Sequence, residues 1–128
     1  MAAALLLALK LCMKKSCKPK KNIAEAGLET YVDIREGDGL ETLKTFNQTI
    51  DLVFIDGWIH LALDMLKILD PLIRPGGIVI SDNVKTFKEP LKDYVDFLQN
   101  PVNGYRSSSL KLKGGTEFSV KVRRHDEN

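Results

Sequence analysis

Two aspartates, each at the end of an apolar run, are the residues best suited to chemistry. LVFIDGWIH carries residues 52–55 into Asp56, and 26 positions later GGIVISDN carries residues 76–81 into Asp82 and Asn83. A buried strand gains nothing in packing by ending on a carboxylate, so the two ends are candidates for one shared site. Two carboxylates and an amide oxygen make a hard, all-oxygen donor set, suited to magnesium, manganese or calcium rather than zinc. Three protein ligands leave positions open for water or for a substrate with two adjacent oxygens. The competing reading is structural: Asp56 caps the helix after it, and Asp82 with Asn83 forms a turn.

Further candidates lie nearby. GDGLET (residues 37–42) follows a strand and opens a helix, and it resembles part of a dinucleotide fingerprint with Asp56 as the downstream acid. Thr42 stands where the third glycine belongs, so a plain turn is the stronger reading. Asp38 in that turn is an acid able to accept a bond from an exocyclic amine. His60 falls on the polar stripe of a helix, which reads first as a surface position. Trp58, the only tryptophan, follows Asp56 by two residues, where its ring could wall a flat substrate.

The elements that must position these residues follow from periodicity. KKNIAEAGLE reads as a helix stopped by Gly27, YVDIR as a short strand, and GDGLETLKTF as a turn opening a short helix. DLVFID and GIVISD are apolar runs of strand length. Between them, HLALDMLKILD places His60, Asp64 and Lys67 every three or four positions, a helix with one narrow wet stripe that ends at Pro71. KEPLKDYVDFLQN sets Leu91, Tyr94, Val95 and Leu98 on one helical face, with Pro90 near its first turn. YRSSSLKLK and TEFSVKV alternate on either side of Gly114 and Gly115, which reads as a hairpin. Helices alternating with buried strands imply a mostly parallel sheet covered on both faces, finished by an antiparallel edge. Ligands in such sheets bind outside the carboxyl ends of the strands.

At 128 residues the chain is long enough for one domain with a core. A net charge of +2 is too weak to argue for nucleic acid or a membrane surface. The basic run KKSCKPKK (14–21) has no interleaved aromatics and reads as a solvated connection between helices. Cys12 and Cys17 have neither zinc spacing nor the numbers for a disulfide scaffold, which points to a reducing, cytoplasmic location. The opening MAAALLLALKLCM lacks a basic leader and is too short to span a bilayer, so a buried helix is expected there.

DLVFIDGWIHLALDMLKILDPLIRPGGIVISDNV, with NIAEAGLETYVDIREGDGLETL and GYRSSSLKLKGGTEFSV, closely resembles the class I S-adenosylmethionine-dependent O-methyltransferases of the catechol O-methyltransferase type. The resemblance runs from about residue 21 to 122. It implies an α/β, Rossmann-like three-layer sandwich with a mostly parallel sheet and an antiparallel C-terminal hairpin. It further implies O-methyl transfer to a small catechol-like acceptor, with magnesium or another divalent cation on Asp56, Asp82 and Asn83. S-adenosylmethionine falls to Gly37, Asp38 and Gly39 (with the adenine beside Gly37 and Asp38) and to Asp56, Gly57 and Trp58; Trp58 also belongs to the loop lining the acceptor pocket. The lysine base of the family stands three residues after the first aspartate, here Ile59, leaving His60 or Lys85 as candidate bases. The acidic, glycine-rich loop and the second strand's terminal acid that hold the cofactor are not visible before Lys21. ALLLALK looks like the helix that follows that loop. The expectation is thus the C-terminal portion of the domain, lacking N-terminal strands, with catalysis impaired, and alternatively a non-catalytic remnant or oligomerisation module. Uncovered central strands imply self-association; the other expected partner is a small molecule, not nucleic acid or membrane.

Overall fold

A computed structural model of the chain describes residues 6–9, 18–35, 37–56 and 59–122. It divides into two compact units, residues 1–46 and 47–128.

In the first unit, β1 (Leu6–Leu9) pairs in parallel with β2 (Val32–Arg35), from Leu6 opposite Val32 to Leu9 opposite Arg35. The helix expected over ALLLALK is therefore a strand at residues 6–9, and a strand does precede Lys21. A short continuous apolar run cannot be told from a buried helix by periodicity, and here the ladder to β2 decides it. Helix α1 (Lys18–Glu25) ends where expected. Gly27, at φ 70, donates to Ala24 O and Leu28 donates to Ile23 O, the paired bonds that close a helix with a left-handed residue. Arg35 ties β2 to α2 (Gly39–Lys44): Nε donates to Asp33 at 2.9 Å and Nη1 to Thr42 O at 2.8 Å, with the guanidinium over the Phe46 ring.

The second unit holds a four-stranded sheet in the order β3-β4-β6-β5. β3 (Ile50–Ile55) and β4 (Ile73–Asp82) run parallel; β6 (Thr116–Lys121) is antiparallel to both β4 and β5 (Tyr105–Leu110). The wet-striped segment forms α3 (Ala62–Leu69), flanked by 3-10 turns at Ile59–Leu61 and Asp70–Leu72. Pro71 sits in the second turn, where the α-helical bonds stop. Tyr94 and Leu98 of α4 (Lys92–Gln99) are buried, and Pro90 lies in the turn before it.

The pleat gives this sheet two unlike faces. Val53, Ile55, Val79, Ser81, Glu117 and Ser119 are buried, and α4 lies over them: the Tyr94 hydroxyl bonds Ser81 Oγ, and Gln99 Nε2 donates to Glu117 at 3.0 Å. Glu117 also accepts from Ser107 and Ser109, so its buried carboxylate is amply hydrogen-bonded. Nearby, buried Asp70 accepts from Tyr105 at 2.6 Å and pairs with Lys121 at 3.2 Å. The opposite face carries two apolar rows fixed by register, Leu52–Ile78–Val120 and Phe54–Ile80–Phe118. Leu52 and Phe54 remain 52% and 55% exposed, so at β3 this face is not covered in the way the sequence pattern implies.

Candidate functional site

The parallel register of β3 on β4 decides where the acidic strand ends fall. Leu52 lies opposite Ile78, and the pairing continues to Ile55 opposite Ser81. The next residues are Asp56 and Asp82, so both aspartates stand at the carboxyl ends of adjacent strands, roughly one inter-strand spacing of about 4.8 Å apart along the rim. Asp56 is exposed; Asp82 and Asn83 are half-buried. The described hydrogen bonds to Asp82 both reach Oδ1, from Asn83 N at 2.8 Å and from Thr116 Oγ1 at 3.4 Å. Neither involves Oδ2, which faces no competing donor from those two groups.

Asn83 is the only non-glycine residue with a positive φ among the described residues, at 59°. Asparagine tolerates this region better than most residues, and the neighbouring hairpin turn holds the loop in place. Gly114 O accepts from Lys85 N at 2.9 Å and from Thr86 N at 3.2 Å, while Gly115 O accepts from Val84 N at 3.2 Å. Both glycines have positive φ, 78° and 79°. A Cβ on Gly114 would lie 2.5 Å from Asn83 Oδ1, and one on Gly115 2.6 Å from Lys85 Cβ. The pair therefore permits a backbone approach that no other residue allows. The sequence reading assigned these glycines only to a hairpin. No sequence signal marks the second role, since a glycine pair is itself an ordinary hairpin turn.

Gly37, Asp38 and Gly39 lie in the first unit. Gly37 has φ 113, and Asp38 caps α2: its Oδ1 accepts from Leu40 N at 2.9 Å and Glu41 N at 3.3 Å. Gly39 is the first residue of that six-residue helix. The geometry matches the plain-turn reading of GDGLET, while Asp38 Oδ2 takes no part in the cap. His60 is exposed in the 3-10 turn before α3, beside a half-buried Ile59, and Lys85 is exposed in the loop after β4. Gly57 and Trp58 lie outside the described residues. Among the described residues, no three His, Cys, Asp or Glu side chains group so as to hold a metal ion. A site here therefore depends on Asn83 as the third protein oxygen.

The model of a family described as a methyltransferase domain matches residues 4–84, more than half of the chain. The chain belongs to this methyltransferase family. Solved structures of similar fold include the following. An O-methyltransferase from Bacillus cereus in complex with S-adenosylhomocysteine is 19% identical, covering 91% of this chain and 62% of its own, with a TM-score of 0.79. The O-methyltransferase TomG from Streptomyces achromogenes, involved in tomaymycin synthesis and bound to S-adenosylmethionine, is 18% identical, covering 93% of this chain and 62% of its own, at 0.80. A Staphylococcus aureus protein provisionally named a caffeoyl-CoA O-methyltransferase is 24% identical, covering 91% and 64%, at 0.79. At these identities the likeness establishes the α/β, Rossmann-like fold. The methyltransferase domain spans less than two thirds of the length of these structures.

Proposed function

We propose that this methyltransferase domain serves S-adenosylmethionine-dependent O-methyl transfer to a small acceptor with two neighbouring hydroxyls, assisted by magnesium or another divalent cation. The observation that carries the reading is the β3–β4 register, which sets Asp56 and Asp82 on one rim with Asn83 beside them. Asp56 and Asp82 would supply charge and Asn83 a neutral oxygen, a donor set that fits a hard cation. Such a cation lowers the pKa of a bound hydroxyl and fixes its direction. Methyl transfer from a sulfonium gains most of its acceleration from positioning, which a rigid strand-end rim favours. Asp38 Oδ2 is suited to an exocyclic amine of the cofactor. Ile59 has no proton-accepting atom, so catalysis in this chain is weak and rests on exposed His60 or Lys85. The reading includes a homo-oligomer as the working form.

Titration with Mn2+, followed by electron paramagnetic resonance and calorimetry, tests the rim. Wild type is expected to bind. Asp56→Ala and Asp82→Ala should each weaken binding by at least about tenfold, the scale seen even for outer-shell partners. Unchanged binding in both variants would remove the metal assignment. Titration with S-adenosylmethionine, with and without Mg2+, tests the cofactor separately.

A second reading is favoured by one specific observation: Asp82 Oδ1 already accepts from Asn83 N and Thr116 Oγ1, as a turn-forming aspartate would. Under it the chain is a non-catalytic remnant or oligomerisation module, with no affinity for Mn2+ or S-adenosylmethionine.

A further inference from the structure

The loop after β4 and the tip of the β5–β6 hairpin both interleave lysines with exposed apolar residues. Residues 84–90 (VKTFKEP) and 110–115 (LKLKGG) bring Lys85, Lys88, Lys111 and Lys113 onto two segments bonded to each other through Gly114 and Gly115. All four lysines are exposed, and none forms an ion pair among the described residues. Glu89 is the only acid on either segment. These thirteen positions thus carry +3, more than the whole net charge of +2, and the rest of the chain is −1. The small overall charge conceals a local concentration of one sign.

Apolar side chains are interleaved with the lysines. Phe87 is 40% exposed, Leu110 41% and Leu112 60%. Residues 110–113 alternate leucine and lysine in unbroken exposure at the hairpin tip, and residues 85–90 are exposed throughout. Exposed apolar groups clustered within a basic rim mark an interaction surface. A free phosphate-bearing ligand would account for the lysines but leave the leucines idle. A nucleic-acid strand stacks its bases on aromatic rings, and here two of the three apolar groups are aliphatic. An anionic lipid surface accounts for both: lysines meet the headgroup charge, while aliphatic and aromatic tips enter the headgroup–acyl boundary.

We propose that the 84–90 loop and the 110–115 hairpin tip form a peripheral docking surface for anionic lipid bilayers. The absence of a spanning helix among the described residues does not bear on this, since peripheral binding needs none. Docking turns the strand-end rim toward the bilayer, because the same loop begins at Asn83. The proposal rests on charge and exposure in the second unit and does not depend on the metal or on methyl transfer.

Co-sedimentation of the full chain with phosphatidylserine–phosphatidylcholine vesicles, against pure phosphatidylcholine, tests it. Binding is expected on the mixed vesicles only, weakening as salt rises. Each lysine near such a surface strengthens partition by about fivefold, so Lys111→Gln with Lys113→Gln should weaken it by roughly 25-fold. Leu112→Ser should weaken it several-fold. These substitutions lie on an exposed turn and spare Lys85, and an unchanged circular-dichroism melt checks that the chain still folds. Equal binding to both vesicle types, or to neither, overturns the proposal. So does loss on the lysine changes but not on Leu112→Ser with full competition by inositol hexakisphosphate, which identifies a soluble phosphate ligand instead.

Discussion

Asn83 is held by what stands opposite it. Its positive φ costs little by itself, but its side chain occupies the space that a Cβ on Gly114 would need. Gly114→Ala therefore combines backbone strain, about 1–2 kcal/mol for an L-residue in the left-handed region, with a displaced Asn83 side chain. Gly27→Ala supplies the control: it has a similar φ of 70 but nothing within 4 Å of its Cβ. Both changes should lower the melting temperature, Gly114→Ala by more. Only Gly114→Ala should weaken Mn2+ binding, because only it moves a proposed ligand. If the two variants bind Mn2+ alike, the hairpin does not position Asn83. A residue of this kind is poorly legible in sequence, since glycine pairs mark turns everywhere and the contact spans 31 positions of chain.

At the scale of elements, a hydroxyl pair joins α4 to the sheet. Tyr94 on α4 is 1% exposed and bonds Ser81 on β4, and burial pushes its phenol well above the ordinary value near 10, with Glu117 adding in the same direction and the Ser81 bond opposing. An acid whose folded pKa is raised is held neutral by the fold. Its contribution is fully present below the unfolded value near 10 and is lost as pH climbs beyond it. Wild-type stability, measured by denaturant unfolding, should therefore fall between about pH 10 and 11 more steeply than that of Tyr94→Phe. At neutral pH the variant should be less stable by about 1–3 kcal/mol, because Ser81 is left buried without its partner. Parallel curves in the alkaline range would refute the account. The elements themselves were largely legible. The 3.6-residue stripes of α3 and α4, the Gly27 stop, the two apolar strands and the glycine-centred hairpin all read directly from residue types. β1 did not, because four apolar residues in a row carry no period and the ladder that makes them a strand comes from β2, 23 to 29 positions away. The strand-end aspartates were legible as candidates, yet their adjacency depended on a register that skips from Ile50–Ile73 to Leu52–Ile78. Residue types alone do not encode such a shift. The polar cluster around Glu117 was equally hidden, since alternation in SSSLK and TEFSVK signals a hairpin without saying that the serine face is the buried one.

For the molecule as a whole, assembly turns on β3, the end strand of the four-stranded sheet. Among the described residues only β4 pairs with it, and its outer face carries half-exposed Leu52 and Phe54. An unpaired apolar edge is a template for another strand, and proteins usually guard such edges with lysine, proline or a bulge. Asp51 is the only charged residue on β3, and its carboxylate is paired with Arg74. A second copy fits the edge by symmetry. Antiparallel pairing about a two-fold axis through Val53 sets Leu52 opposite Phe54 of the partner, and Phe54 opposite its Leu52, on one face. The apolar rows through Ile78 and Ile80 extend that face across the sheet. Light scattering after size exclusion should show a dimer or larger species whose proportion rises with protein concentration. Leu52→Lys with Phe54→Lys should shift it to monomer, with little effect on the melt of the monomer because both side chains are already half in water. A wild type that stays monomeric at all concentrations, or an assembly indifferent to these lysines, would show that β3 is not where copies meet.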